Sequence, residues 1–233
     1  MALLIFDCDG VLVDSEFLFA RVAASCLSEI GIEIDTAEAT RRFAGVSIKD
    51  MLATLAGERG TPLPDAFEGL VIQREDEAYA QMLEPIHGVR EAILSISLPR
   101  CVASSSLPER ISASLLVTKL DDLFAQAARF STSLVAKGKP APDIFLHAAS
   151  QMGATPQDCI VIEDSVPGVQ GAVAAGMRVI GFTGGRHCGD GHGERLAASG
   201  ADRVIAEMAK LHEAVQALTS PTGRRRARSP LLS

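Results

Sequence analysis

Short apolar runs recur along this chain and alternate with segments that have helical spacing. The apolar runs lie at 3–6, 100–103, 159–162, 178–182 and 203–205. The helical patterns lie at 88–97, 108–118, 143–152, 168–176, 194–199 and 208–218. Consecutive apolar residues, as in the first run, are typical of a strand that is covered on both faces of a sheet. The alternation predicts an α/β fold with a doubly wound parallel sheet, in which ligands bind beyond the carboxyl ends of the strands.

The segment 15–87 departs from this alternation, because it shows helical spacing where a second strand would be expected. An all-helical insertion of this length exceeds a simple crossover, so we predict an inserted all-helical domain. Its two linkers are expected near Asp14 and near 85–88. The predicted α/β core comprises 1–14 and 88–218, and the predicted helical cap comprises 15–87. The basic tail at 219–233 is expected to be disordered.

The composition narrows the class of protein. With 233 residues, of which 47% are hydrophobic, the chain is large enough for a core with an inserted domain. No apolar run approaches the ~18 residues of a membrane-spanning helix, so we expect no membrane partner. The formal net charge of -7 argues against nucleic-acid binding, although 223–228 is locally basic. Five scattered cysteines, no CxxC pair and no leader-like start predict a cytoplasmic protein with reduced thiols, acting as a monomer or weak homodimer.

The first apolar run ends in two carboxylates and a glycine. Asp7 follows the run directly, Asp9 comes two residues later, and Gly10 permits a backbone conformation that other residues avoid. If the backbone stays extended, Asp7 and Asp9 point to the same side. Two carboxylates on one side repel each other unless a cation lies between them, and a hard divalent ion such as Mg²⁺ fits that need. The pattern therefore indicates phosphoryl-transfer chemistry.

Four segments, in chain order, resemble the motifs of the haloacid dehalogenase superfamily. They are DCDGVLVDS at 7–15, VASSS at 102–106, KPAPD at 139–143 and VIEDS at 161–165. The resemblance extends over 1–218. Within the superfamily, the sequence is most similar to the phosphatase and β-phosphoglucomutase-like branch, near phosphatases of the 6-phosphogluconate phosphatase kind. It implies a cap over the active site and Mg²⁺-dependent hydrolysis of a small phosphorylated metabolite, a sugar or sugar-acid phosphate.

The resemblance also implies roles for individual residues. Asp7 would be the nucleophile that forms an aspartyl-phosphate intermediate, and Asp9 would be the general acid and base. Ser104 and Ser105, which follow a predicted strand, would hold phosphate oxygens together with Lys139.

The same motifs imply a magnesium site at the end of the sheet. Asp7 and Asp164 would bind the ion through carboxylates, and a backbone carbonyl near Asp9 would add another oxygen. Glu163 is expected either to bind the ion directly or to lie in the outer shell. The segment 184–193 contains histidines and a cysteine, but its spacing matches no closed zinc pattern, so we predict a glycine-rich surface loop there.

Other functions remain to be weighed against hydrolysis. Sugar phosphomutases of this family carry a histidine and an arginine in the cap region where this chain has Phe19 and Ile48, which favours hydrolysis. A dehalogenase has no need of Asp9. A response-regulator receiver is short, lacks a cap and places its acceptor aspartate after a middle strand. A non-catalytic sugar-phosphate-binding protein would leave the pair of Asp7 and Asp9 unexplained.

Overall fold

The computed structural model describes residues 2–220, and its centre is a six-stranded, all-parallel sheet. The strands are β1 (Leu3–Phe6), β2 (Arg100–Ser104), β3 (Arg129–Ser131), β4 (Cys159–Glu163), β5 (Arg178–Phe182) and β6 (Arg203–Ile205). Their order across the sheet is β3-β2-β1-β4-β5-β6. The chain thus proceeds outward from β1 in one direction and then returns to its other side, so the crevice beside β1 is a topological switch point. The predicted α/β fold class is confirmed.

Helices cover the sheet and form the insertion between β1 and β2. The helices of the insertion are α1 (Ser15–Glu29), α2 (Thr36–Phe43), α3 (Ile48–Arg59) and α4 (Phe67–Met82). Those that follow are α5 (Val89–Leu94), α6 (Pro108–Val117), α7 (Asp143–Gln151), α8 (Val166–Ala174), α9 (His192–Ala198) and α10 (Leu211–Thr219). No helix within residues 2–220 combines the length and the apolar character needed to cross a bilayer.

The first strand supplies side chains to both faces of the sheet. Leu4 and Phe6 pack into one hydrophobic cluster, whereas Leu3 and Ile5 pack into another on the opposite face. All four are at most 1% exposed, because helices cover each face. This placement fixes the end of β1, and with it Asp7, at the buried centre of the sheet.

Residues 15–87 leave and rejoin the sheet region at one place. Val13 and Pro85 form an antiparallel bridge. The Asp14 amide donates to the Glu84 carbonyl at 3.0 Å, and the Ile86 amide donates to Leu12 at 2.9 Å. The two linkers therefore run side by side, and we call residues 12–14 and 84–86 the linker pair.

Sequence patterns located five of the six strands and missed β3. Phe130 is its only large apolar residue, with Arg129 and Ser131 on either side, so no apolar run marks it. It lies at the sheet edge, where a strand needs less burial. Helix α8 begins two residues before its predicted start, because the Ser165 hydroxyl accepts a hydrogen bond from the Gly168 amide and caps it. The tail was predicted at 219–233; Thr219 still belongs to α10, and 221–233 lie outside the described residues.

Candidate active site

Polar side chains meet at the carboxyl ends of the central strands. Asp7 directly follows β1, and its amide continues the strand ladder by donating to the Ile162 carbonyl at 3.0 Å. Asp164 follows the neighbouring β4, and Ser104 is the last residue of β2 on the other side. The fold therefore brings residues far apart in sequence to one edge of the sheet.

Gly10 allows the loop after β1 to approach Asp164. Its φ is +77°, in the left-handed region that favours glycine. A Cβ atom at this position would lie 1.9 Å from Oδ2 of Asp164 and 2.8 Å from Cε1 of His187. The glycine of the first motif is thus required both by the backbone conformation and by the lack of space.

Three buried carboxylates and one lysine form the centre of the site. Oxygens of Asp7, Glu163 and Asp164 lie within 4.8 Å of one another. Nζ of Lys139 donates to Oδ1 of Asp7 at 2.8 Å and also to Oε1 of Glu163. Burial raises the pKa of Asp7 well above its ordinary value, and the Lys139 charge opposes this effect. Burial lowers the pKa of Lys139, but Asp7 and Glu163 outweigh it, so the net shift is upward.

This donor set suits a hard divalent cation. Three carboxylates face a single ammonium group, so two further positive charges, as on one divalent cation, would balance the cluster when all three are ionised. All the candidate ligand atoms are oxygens, which Mg²⁺ prefers. The residues present therefore fit the magnesium ion that the family implies.

Asp9 is held apart from that cluster by hydroxyl groups. Its Oδ1 accepts from Ser15 Oγ at 2.8 Å, and its Oδ2 accepts from Ser106 Oγ at 2.7 Å. Ser104 Oγ lies 3.4 Å from the same Oδ2 and accepts from the Ser106 amide at 3.0 Å. The carboxylate group predicted to bind metal therefore contains Asp7, Glu163 and Asp164, whereas the Asp9 side chain faces the serines. Ser105 is exposed, and its carbonyl accepts from Thr132.

Ser15 and Ser106 both contact Asp9, although neither was predicted to be a site residue. Ser106 is the third residue of a serine triplet, which is a visible signal, but the triplet alone does not tell which hydroxyl points inward. Ser15 is the last residue of the first motif and opens α1, where a serine is ordinarily read as a capping residue.

The glycine-rich segment 184–193 was predicted to be a surface loop, but His192 and Gly193 begin α9 and the loop before them is partly buried. The side chain of His187 is 6% exposed, and its Nε2 lies 2.8 Å from Oδ2 of Asp164. Burial disfavours the charged imidazole, but the hydrogen bonds with Asp164 and Cys188 outweigh it and raise the His187 pKa to about 11. Burial also opposes ionisation of Cys188, yet hydrogen bonds from His187 and His192 lower the pKa of its thiol. Gly10 and Gly185 leave the space into which the His187 ring packs, and the spacing of residues in the sequence does not show this.

The helical insertion contributes a further carboxyl group near the site. Glu16, in the first turn of α1, accepts a hydrogen bond from the Gly45 amide at 2.8 Å. Burial raises the pKa of Glu16 to about 7, and the negative charges of Asp164 and Asp9 add to the shift. The insertion thus places a carboxyl group with a raised pKa within electrostatic reach of Asp164 and Asp9.

Comparisons with known proteins agree with this geometry. A family model described as haloacid dehalogenase-like hydrolase matches residues 1–176. The 6-phosphogluconate phosphatase of Escherichia coli strain K12 is 32% identical over 193 residues, which are 82% of this chain and 84% of that protein. A conserved haloacid dehalogenase-like protein of unknown function from Agrobacterium tumefaciens has a TM-score of 0.87 at 40% identity, covering 94% of this chain and 100% of its own. A hydrolase of the same family from Deinococcus radiodurans, solved with phosphate and sodium, has a TM-score of 0.82 at 32% identity, covering 92% and 95%.

Proposed function

Because the chain belongs to the haloacid dehalogenase-like hydrolases, we propose a specific reaction for its active site. The chain is a phosphoric monoester hydrolase. The proposed reaction is the Mg²⁺-dependent hydrolysis of a small phosphorylated metabolite, a sugar or sugar-acid phosphate, through an aspartyl-phosphate intermediate. The observation that carries this proposal is the buried contact between Lys139 and Asp7 beside two further carboxylates.

Asp7 is the proposed nucleophile. A carboxylate oxygen attacks phosphorus, the bond from phosphorus to the ester oxygen breaks, and the phosphoryl group is carried on Asp7. Lys139 orients the carboxylate through its bond to Oδ1 and offsets the charge of the transferring group. Water then attacks phosphorus and releases inorganic phosphate, which regenerates the free carboxylate.

Asp9 is the proposed acid and base. It gives a proton to the leaving alkoxide and later takes one from the attacking water. The hydroxyls of Ser15 and Ser106 each bind one of its oxygens and so fix the plane of the carboxyl group. Ser104 and Ser105 are the proposed phosphate contacts, with Ser104 held in place by the Ser106 amide.

Asp7 and Asp164, with the backbone carbonyl of Asp9, are the proposed ligands of Mg²⁺. The ion, when bound, neutralises charge so that the anionic phosphoryl group can approach the carboxylates. Glu163 is fully buried, and its Oε2 accepts from both the amide and the hydroxyl of Ser165 while Oε1 binds Lys139. Both oxygens are thus occupied, so we assign Glu163 to the outer shell, where it holds Lys139.

The substrate class rests on the insertion and on the relatives. We propose that residues 15–87 act as a cap that excludes water and limits access to small molecules. The 6-phosphogluconate phosphatase similarity supports a sugar-acid or sugar phosphate. Phe19 is buried, and Ile48 opens α3, so neither position supplies the histidine or arginine typical of the mutases. Hydrolysis is therefore preferred over a mutase reaction.

A phosphate-release screen tests the proposal. It covers sugar phosphates, sugar-acid phosphates and phosphoglycolate, with and without Mg²⁺, alongside an isomerisation assay on glucose 1-phosphate. We expect release from at least one sugar or sugar-acid phosphate, reversible loss on chelation, and no release by Asp7→Asn with an unchanged circular dichroism spectrum. Substantial activity in Asp7→Asn would contradict the covalent route, and isomerisation in place of phosphate release would favour a mutase.

A further inference from the structure

Beside the acidic centre lies a second cluster of metal-ligating side chains of a different chemical kind. His187, Cys188 and His192 each offer one donor atom, and these three atoms lie within 4.8 Å of one another. All three residues are half-buried, and they come from the loop after β5 and the first residue of α9. We propose that this cluster is a binding site for a soft divalent cation of the Zn²⁺ class, distinct from the proposed magnesium site.

The spacing of the donor atoms matches such an ion. Nε2 of His187 lies 3.4 Å from Sγ of Cys188. With bonds of about 2.0–2.1 Å to nitrogen and about 2.3 Å to sulfur, a tetrahedral zinc ion holds its nitrogen and sulfur ligands about 3.5 Å apart. The ion therefore fits between His187 and Cys188 with little rearrangement. His192 completes a set of two imidazoles and one thiolate by exchanging one of its present hydrogen bonds, to Asp164 or to Arg195.

The His187 ring is built into its position. A Cβ atom at Gly185 would lie 2.6 Å from its Cε1 atom, and one at Gly10 would lie 2.8 Å from the same atom. Among the described residues, the buried Nδ1 has no hydrogen-bond partner. The ring thus packs closely against Gly10 and Gly185. It makes its polar contacts through Nε2, which is the atom that faces Cys188 and Asp164.

The chemistry of the two clusters separates their ions. The acidic centre offers carboxylate oxygens, which suit Mg²⁺, whereas imidazole and thiolate ligands favour zinc and its neighbours in the transition series. Nε2 of His187 also lies 2.8 Å from Oδ2 of Asp164. An ion bound to that nitrogen replaces the hydrogen bond to a proposed magnesium ligand. We therefore expect Zn²⁺ to raise the Mg²⁺ concentration needed for half-maximal phosphatase activity, and this coupling rests on the proposed function, whereas the binding does not.

Cobalt(II) is the probe for the binding test, because a thiolate ligand gives it a charge-transfer absorption band in the near ultraviolet. The protein is titrated with Co²⁺ in excess Mg²⁺, which keeps the acidic centre filled. We expect the band to saturate at a single equivalent and to disappear when Zn²⁺ is added. Cys188→Ser should remove the band and weaken Zn²⁺ binding by more than about tenfold, because loss of even an outer-shell partner costs about 10–100-fold in metal affinity.

Two comparisons keep the test decisive. Cys188→Ser retains the four buried cysteines of the chain, so a band that persists in this variant would come from them and would overturn the proposal. His192→Gln provides a second ligand variant and should also weaken binding, whereas His87→Gln, at an exposed histidine, should leave it unchanged. Binding of Co²⁺ without a thiolate band would likewise overturn the proposal. Cys188→Ser should keep its basal phosphatase activity and lose sensitivity to Zn²⁺.

Discussion

At the scale of single residues, Lys139 determines whether the acidic centre can exist without a metal. Its ammonium group is buried between Asp7 and Glu163, with the side chain 6% exposed. Removing one member of a buried ion pair typically costs about 3–5 kcal/mol, because the remaining charge is left uncompensated. The stability of the site and its reactivity therefore depend on the same contact.

We expect Lys139→Met to lower the free energy of unfolding by about 3–5 kcal/mol in metal-free buffer and to abolish phosphate release. Saturating Mg²⁺ should restore part of the stability, since a bound cation replaces the lost positive charge. Urea denaturation with and without Mg²⁺ measures both effects. Lys137→Met, at an exposed lysine two residues away, is the control, and equal losses in the two variants would contradict the assigned role.

Glu16 gives the protein a predictable pH dependence of stability. Burial raises its pKa from 4.5 to about 7 in the folded protein, so the folded state favours the protonated acid. The stability that this group contributes is present below about pH 4.5 and is lost as the pH rises through about 7.

The glutamine in Glu16→Gln cannot ionise, so the stability of this variant relative to the unmodified protein should increase with pH. We expect the free energy of unfolding of the variant, minus that of the unmodified protein, to be about 1–3 kcal/mol larger at pH 8 than at pH 5. The glutamine oxygen retains an acceptor for the Gly45 amide. Urea denaturation at the two pH values measures the difference. A stability difference that stays constant with pH would show that Glu16 does not titrate in this range.

At the scale of elements, strands with apolar runs were predictable and the contacts between loops were not. The run at 3–6 and the carboxylates that follow it place Asp7 at the end of a central strand, as the structure shows. Edge strand β3 is short and has only one large apolar residue, so it gives no periodic signal. The packing of His187 against Asp164 depends on space left by Gly10 and Gly185. Such contacts join segments remote in sequence, and no local pattern encodes them.

Substitution of a helical glycine by alanine is expected to have opposite effects on stability at two positions, Gly168 and Gly57. A Cβ atom at Gly168, in the first turn of α8, would lie 1.9 Å from Oε1 of Glu163. Gly168→Ala should therefore displace Glu163, cost at least about 1–3 kcal/mol of stability and reduce activity, since Glu163 holds Lys139.

Gly57, in α3, has nothing within 4 Å of such an atom. Gly57→Ala should raise stability by about 0.5–1 kcal/mol with unchanged activity, as measured by urea denaturation and phosphate release.

At the scale of the whole molecule, two of the contacts between the helical insertion and the α/β core are made by arginine side chains. One is the linker pair, where Arg186 binds both Asp14 and Glu84 and lies 4.2 Å from the Phe17 ring centroid. The other is the contact between α4 and α6, formed on α4 by residues shortly before the second linker. The linker pair fixes the ends of the insertion, and the contact between α4 and α6 attaches it to the α/β core a second time.

Arg110, on α6, is the centre of this second contact. It forms ion pairs with Glu75 and with Asp76, the latter at 3.1 Å, and its guanidinium carbon lies 3.6 Å from the Tyr79 ring centroid. These partners belong to α4. A partly exposed ion pair contributes about 0.2–1 kcal/mol, and a cation over an aromatic ring contributes about 0.5–2 kcal/mol. Together they hold α4 against α6, and under the proposed cap role they would favour a closed insertion in the absence of substrate.

If the insertion acts as a cap, Arg110→Met should raise KM several-fold, to at most about tenfold, with little change in kcat. Without the contact, substrate binding must supply the free energy of closure, which lowers apparent affinity, whereas saturating substrate still closes the site. Arg110→Lys keeps the positive charge but loses the planar guanidinium group, so its KM should lie between that of the unmodified protein and that of Arg110→Met. Arg90→Met breaks an exposed ion pair with Asp122, which joins two segments of the α/β core rather than the insertion to the core, so both constants should stay unchanged. A fall in kcat with constant KM in Arg110→Met would instead assign Arg110 to the chemical step.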